Sequence, residues 1–318
     1  MTSTQDRVRA ARLAEHGQPL VVEEVALPEP GPDEVRVDLA FGGVNPIDRY
    51  AAEGRVAPDG PLPRTLGGEA AGHVDGRAVL VAGEGLGSSR DGVWAQAAVV
   101  PTAAVFDLPA GVEPREAAAM GIAGLTAFNC VRTLAEVSDD DRVIVFGASG
   151  GVGSMIVSLA RATGATVWGQ TSAEDKAPGI AEMGAQHVLV GDAGQIGGEL
   201  AEFQPTVGFD PLGDGFIAPL IDAVSPRARI ISFGTSAGAE VTFNMQQLYR
   251  KMLSLLGYGG MQLTSEERRR GLGEALKALR AGDLKVRIDE ILPLDQVNEA
   301  FARLVQRQVE GKLLLDLS

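Results

Sequence analysis

From residue 142 onward the chain repeats one pattern: a short apolar run, a turn, then a stretch with helical spacing of its apolar residues. RVIVFGA is followed by SMIVSLARA, TVWGQTS by EDKAPGIAEM, HVLVG by QIGGELAEF and TVGFDPLG by FIAPLIDAV, and RARIISFG closes the series. Short apolar runs between amphipathic helices are strands buried on both faces, and such strands run parallel through right-handed crossovers. The pattern therefore predicts an α/β fold with a doubly wound parallel sheet. KMLSLLGYGG near residue 251 supplies a sixth strand, and SEERRRGLGEALKALRAG a long helix for which Ser265 is the expected cap.

The first crossover carries the sharpest local motif. Gly147-Ala148-Ser149-Gly150-Gly151-Val152-Gly153 follows an apolar strand directly and opens a helix. A diphosphate needs close backbone approach and exposed amides at the positive end of a helix. Gly150 and Gly151 permit the approach, and Gly153 permits tight packing of helix on strand. Ser149, Gly150, Gly151, Val152 and Gly153 are thus the expected dinucleotide contacts, in an Ala-x-Gly-x-x-Gly spacing with Ala148 at the first position. The alternative, a glycine-rich turn without a ligand, is disfavoured by the surrounding alternation.

An NAD site places a carboxylate at the end of the second strand, about 20 residues past the loop. Here TVWGQTS ends in Thr171 and Ser172, with Lys176 close behind. A carboxylate would repel a 2′-phosphate, whereas two hydroxyls and an ammonium bind one, so the electrostatics favour NADPH. Glu174 and Asp175 act against that preference, and Lys176 also has an ordinary reading as a solvated helix residue. Asp210 to Gly213 and Phe233 to Thr235 fall at the carboxy ends of strands, the functional edge of such sheets.

The first 110 or so residues read differently. VVEEVAL, EVRVDLAF and RAVLVAG are β-rich and separated by the turn clusters PEPGPDE, APDGPLPR and GEGLGSSRDG. Asp75-Gly76 predicts a two-residue hairpin, because both central positions require positive φ. Residues 113 to 135 are alanine-rich, opened by Pro114, and read as a helix joining two domains. VRIDEILPL, DQVNEAFARLVQR and GKLLLDL form a strand, helix, strand tail expected to return to the first domain. The expected division is residues 1–116 with 275–318, and 117–274; 318 residues suit about two domains of roughly 150 each.

Forty-two acidic against 28 basic residues give a net charge of −14, which argues against nucleic acid and anionic membrane as partners. The polar opening MTSTQDRVRA does not read as a signal peptide, and no uninterrupted apolar run approaches the ~18 residues of a membrane span, so a cytoplasmic location is expected. Cys130 is the only cysteine and lies in an apolar helix, where it reads as an inert packing residue. His16, His73 and His187 are the only histidines, and a catalytic zinc normally takes three protein ligands. No metal site is therefore expected, and His73 reads as a turn or surface residue.

GASGGVG, LGGEAAG, AGLTAF, SFG and the terminal GKLLLDL, in the family's set of motifs, resemble the medium-chain dehydrogenase/reductase superfamily, specifically its zinc-free quinone oxidoreductase branch. The resemblance spans nearly the whole chain. It implies a GroES-like catalytic domain built from both ends of the sequence, an inserted Rossmann domain, and a cleft holding the nicotinamide. In Leu66-Gly67-Gly68-Glu69, Gly68 stands where zinc alcohol dehydrogenases of this superfamily carry a histidine, and GGVNPIDRY has no thiol at the usual cysteine position. Asn45, Asp48 and Tyr50 resemble the family's Asn-x-x-Asp-x-Tyr segment. That match implies Asn45 and Tyr50 as catalytic residues facing the pocket, with Tyr50 bonding the substrate carbonyl or delivering a proton. It also implies that Thr126, Phe233 and Gly234 contact the cofactor, and that two copies pair through the strand around Leu253 to Tyr258.

Two departures from the family pattern stand out. HVDGRAVLV closes at once where relatives have a longer stretch, and Val190 occupies a place where NADPH-using relatives often have tyrosine. Without zinc to stabilise an alkoxide, the implied reaction is hydride transfer to a quinone or an activated C=C, with charge developing as a phenolate or enolate. A stand-alone enoyl reductase or reductive cyclase would use the same machinery. A crystallin-like protein that binds NADPH without turnover is the reading from another class.

Overall fold

The structure, a computed structural model, describes residues 6–318. In chain order its strands are β1 (Arg7–Leu13), β2 (Val21–Ala26), β3 (Glu34–Val44), β4 (Arg64–Thr65), β5 (Glu69–Val74), β6 (Arg77–Ala82), β7 (Ala97–Pro101), β8 (Val105–Asp107), β9 (Arg142–Val145), β10 (Thr166–Thr171), β11 (His187–Val190), β12 (Val207–Asp210), β13 (Arg229–Ser232), β14 (Ser254–Gly257), β15 (Ile288–Pro293) and β16 (Lys312–Asp316). The α-helices are α1 (Pro46–Ala52), α2 (Pro114–Phe128), α3 (Gly151–Arg161), α4 (Ala177–Glu182), α5 (Ala193–Phe203), α6 (Ile217–Ala223), α7 (Met245–Arg250), α8 (Ser265–Ala281) and α9 (Val297–Val305).

Two units divide the chain. The first comprises residues up to Ala123 with Thr264–Arg280 and Ile288–Ser318; the second comprises Gly124–Leu263 with Ala281–Arg287. The division thus falls seven residues beyond 116, and α8 goes largely to the first unit where the sequence reading put residues 264–274 in the second. Buried Leu272, Ala275 and Leu276 lie along one face of that helix, a pattern that identifies a packed face and does not by itself reveal its partner.

The second unit holds one six-stranded sheet in the order β11-β10-β9-β12-β13-β14, parallel throughout. Counted within the unit this is 3-2-1-4-5-6, the dinucleotide-binding order, with its reversal between β9 and β12. Ile144, Phe146, Leu189, Phe209 and Ile230 are buried, as runs without alternation require.

In the first unit a seven-stranded sheet runs β15-β16-β3-β5-β6-β8, with β7 also paired to β3, beside a three-stranded sheet β2-β1-β4. The terminal strand β16 lies between β15 and β3, so the end of the chain does return to the first unit. Asp75 and Gly76 have φ of 48° and 77° and join β5 to β6 in a tight antiparallel hairpin with Val74 opposite Arg77. Trp94 is fully buried in this core, and its indole N–H donates to the Gly43 carbonyl at 3.2 Å. A Cβ on Gly42 would come within 2.7 Å of the indole and one on Gly67 within 2.4 Å, so both glycines are needed to seat the ring.

One local expectation needs correction. Thr264, not Ser265, caps α8: its hydroxyl accepts from the Glu267 amide at 3.2 Å while the Glu267 carboxylate accepts from the Thr264 amide at 2.9 Å. The helix Pro114–Leu134, which includes the π-helical turn Asn129–Leu134, spans 21 residues and is long and apolar enough by length and composition to cross a membrane. Its Ala117, Ala118, Ala119, Met120, Leu125 and Cys130 are buried, however, which makes it a core helix.

Truncating Trp94 should leave a cavity the size of an indole between two glycine-lined segments. Trp94→Ala is expected to lower unfolding free energy by about 3–5 kcal/mol, read from urea denaturation followed by far-ultraviolet circular dichroism. A loss under about 1 kcal/mol would show that the slot collapses without the ring.

Candidate functional site

In the first unit the site is organised by the turn from β3 into α1. Asn45 is the N-cap residue of α1, and Pro46, with its fixed φ, starts the helix. Asp48 reaches back to accept from the Asn45 amide at 2.8 Å and from the Gly68 amide at 3.0 Å, which fixes α1 against the segment leading into β5. Glu69, 0% exposed at the start of β5, and Lys312, 4% exposed at the start of β16, complete a buried cluster. The Lys312 ammonium donates to the Val44 carbonyl at 3.0 Å, to Asn45 Oδ1, and to Glu69 Oε1 at 3.0 Å. The Asn45 amide nitrogen donates to the same Glu69 oxygen at 2.6 Å, and the other carboxylate oxygen accepts from the Ile122 amide.

A buried ion pair is tolerated only when its remaining hydrogen-bonding capacity is met, and here all three ammonium protons have acceptors. The carboxylate also explains two glycines. A Cβ on Gly43 would lie 2.2 Å from Glu69 Oε1, and one on Gly121 2.6 Å from Oε2. Burial pushes the Asp48 carboxyl up to about 7, with the Glu69 charge acting in the same direction; the amides of Asn45 and Gly68 and the Lys312 ammonium oppose both.

Asn45, expected to face a pocket, has its side-chain oxygen on Lys312 and an N–H on Glu69, so it orients its surroundings from inside the unit. Tyr50 sits on the same short helix, half-buried, with the Arg55 guanidinium 4.3 Å and the Arg49 guanidinium 4.9 Å from its ring centroid. Both arginines pair with Glu53. The Tyr50 hydroxyl makes no hydrogen bond among the described residues. Glu69 and Lys312 escaped the sequence reading as functional residues. The available signal was a single charged residue opening the apolar strand KLLLD.

The second unit carries the glycine loop between β9 and α3. Gly147 has φ of 59°, and the Gly150 amide donates back to its carbonyl at 3.0 Å. A Cβ on Gly153 would lie 2.3 Å from the Gly147 oxygen, so the first turn of α3 packs closely on the loop that follows β9. The first helical bond here is from the Ser154 amide to the Gly150 carbonyl, so Gly151, Val152 and Gly153 contribute first-turn amides that a helix leaves without internal partners. Ser149 is half-buried in the same loop. These features fit a diphosphate.

Thr171 ends β10 buried, with its hydroxyl accepting from the Ala173 amide at 3.4 Å; Ser172 is exposed and Lys176 half-buried in the following 3-10 turn. Val190 pairs with Thr171 across β10 and β11. Phe233 and Gly234 follow β13, where the Phe233 amide donates to the Asp210 carbonyl at 3.0 Å and a Cβ on Gly234 would lie 2.8 Å from the Pro211 oxygen. The exits of β12 and β13 are thereby held together. Asp210 is buried, accepts from the Leu212 and Gly213 amides, and is pushed by burial up to about 6. Thr126 lies half-buried on α2 in this unit. Gln170, which the sequence reading passed over, is 2% exposed and touches the loop directly.

Among the described residues, no three His, Cys, Asp or Glu side chains gather in a metal-binding arrangement. His73 is exposed on β5, His187 is exposed on β11 beside Glu199, and His16 lies 3.2 Å from the Pro58 carbonyl. Cys130 is buried, and burial pushes its thiol upward, as an inert packing residue requires.

Comparison with known proteins agrees with this layout. The family described as zinc-binding dehydrogenase matches residues 151–277. Human quinone oxidoreductase is 27% identical, over 99% of this chain and 99% of that protein. Quinone oxidoreductase 1 of Escherichia coli is 29% identical, over 94% of this chain and 97% of that protein. The crystal structure of AibC superposes with a TM-score of 0.89 at 27% identity, covering 98% of this chain and 96% of that one. Sheet order, glycine loop and matches together place the chain in the medium-chain dehydrogenase/reductase superfamily, as an oxidoreductase. Within that superfamily it falls on the quinone oxidoreductase branch.

The Asp48 carboxyl gives a signed test. Between its ordinary value of about 3.9 and its folded value of about 7, the folded protein holds a proton that the unfolded chain releases. Stability should therefore fall as pH rises through that window. Asp48→Asn should flatten the fall, leaving the part due to Asp210, as read from urea midpoints at pH 5 and pH 7.5. A variant as pH-dependent as the parent would remove Asp48 as the source.

Proposed function

We propose that this protein is a cytoplasmic, NADPH-dependent reductase that delivers hydride to a quinone, or to the activated C=C of an α,β-unsaturated carbonyl compound, without zinc. The reading is carried by the glycine loop, whose first-turn amides at Gly151, Val152 and Gly153 are followed, at the end of β10, by Thr171 and Ser172 with no carboxylate. A reduced nicotinamide dinucleotide supplies the hydride when bound. Ser149 to Gly153 hold its diphosphate, and Ser172 and Lys176, with Thr171 behind them, receive the 2′-phosphate. Thr126, Phe233 and Gly234 border the nicotinamide half.

The chain's own groups handle the acceptor. Gly68 stands where zinc enzymes of the superfamily carry a histidine, the segment around Asn45 has no thiol, and Asn45 itself is committed to Lys312 and Glu69. The Tyr50 hydroxyl donates to the acceptor carbonyl as negative charge develops on its oxygen, and passes a proton to it or holds it for water. The Lys312 cluster and Asp48 keep α1, and hence Tyr50, in place.

Purified protein mixed with NADPH and a panel of quinones, enones and enoyl thioesters should consume NADPH, followed by absorbance at 340 nm, on at least one acceptor. NADPH binding without oxidation on every acceptor would favour the non-catalytic reading. Tyr50→Phe is expected to lower kcat about tenfold or more with little change in NADPH affinity. Unchanged turnover would remove Tyr50 from the chemistry.

The same reading includes a homodimer. β14 is an edge strand of the six-stranded sheet, Leu255 on it is 38% exposed, and Met252 and Met261 beside it are more exposed still. Pairing this edge with its copy removes an open row of backbone groups and covers the apolar side chains. Light scattering should give twice the mass of one chain for the parent and a single-chain mass for Leu255→Glu; a monomeric parent contradicts the proposal.

A further inference from the structure

Gln170 is a polar residue at a position where a doubly wound sheet ordinarily places an apolar one. It lies next to last in β10, between β9 and β11, and is 2% exposed. A buried carboxamide is costly unless both of its ends are bonded. Here both are, and to different neighbours. Gln170 Oε1 accepts from the Gly147 amide at 3.0 Å, and Nε2 donates to the Gly191 carbonyl at 2.7 Å. The Gln170 backbone carbonyl adds a bond from the Ala148 amide at 2.9 Å.

Each anchored group governs one side of the same edge. Gly147 is the hinge of the glycine loop: its carbonyl receives the Gly150 amide and lies against Gly153, so its position sets the first turn of α3. Gly191, at φ of 136°, carries the chain out of β11 immediately after Val190, and its amide donates to the Thr171 carbonyl at 2.9 Å. One side chain therefore spans from the diphosphate loop to the exit of the neighbouring strand. Serine, threonine or valine at this position would be too short to bridge both.

We infer that Gln170 is a positioning residue for the ADP half of the dinucleotide, setting the loop at Gly147 and the strand exit at Gly191 in one fixed relation. It acts through these backbone groups and not on the 2′-phosphate, so it tunes affinity without choosing between the phosphorylated and unphosphorylated coenzyme. The inference rests on the dinucleotide reading above.

Gln170→Met keeps the length of the side chain and removes both bonds. Titration calorimetry should show NADPH, NADH and ADP all bound about tenfold more weakly, with the NADPH-to-NADH ratio changed less than twofold. In turnover the loss should appear in KM for the coenzyme rather than in kcat, and amide exchange should speed up at Gly147 to Gly151. Gln170→Glu, which still accepts from Gly147 but sets an oxygen against the Gly191 carbonyl, should weaken all three ligands as well and serves if the methionine variant does not fold. Coenzyme affinities within twofold of the parent in a folded variant would overturn the inference while leaving the dinucleotide reading intact. A parent protein that binds neither NADPH nor NADH would overturn both.

Discussion

One buried ammonium ties the first unit together. Lys312 opens the last strand, and it bonds a carbonyl 268 residues earlier in the chain as well as the side chains of Asn45 and Glu69. β16, β3 and β5 are consecutive in the sheet, so the ion pair bridges over β3 and fixes the point where that strand turns into α1. An unpaired charge at this depth would be destabilising by several kcal/mol, which is why the lysine, the glutamate and the asparagine form a single arrangement and not three independent choices. It also means that the first unit cannot complete its sheet until residues 312–316 are available.

Much of the second unit was legible from local chemistry. The alternation of apolar runs and amphipathic stretches yields the parallel sheet, and the glycine spacing after RVIVFGA marks its ligand-binding edge, because a strand, a tight turn and a helix start all leave short-range signals. The Asp75-Gly76 hairpin was equally readable, since its positive φ angles demand particular residues. What escaped was long-range or partner-dependent. Nothing near Glu69 announces Lys312, and nothing near Gln170 announces that its two ends are needed by Gly147 and Gly191. Thr264 and Ser265 are both competent caps, and only the reach of Glu267 decides between them.

The two units solve the same problem by different means. In the second, backbone amides and glycines present the polar surface, and side chains such as Gln170 hold that backbone still. In the first, charged side chains are withdrawn into the interior, and the helix they secure carries the half-buried Tyr50. Asp48 and Asp210, both pushed upward by burial, are structural carboxyls bonded to main-chain amides.

The indole of Trp94 lies against Gly42, three residues before Asn45, and Gly67, two residues before Glu69. Three positions far apart in the sequence are therefore one steric choice. Any drift to a larger residue at either glycine is blocked while tryptophan remains, and shrinking the tryptophan gains nothing while both glycines remain. Lineages descended from this chain should change the trio jointly or keep it frozen, so neutral variation should accumulate elsewhere in the sheet first.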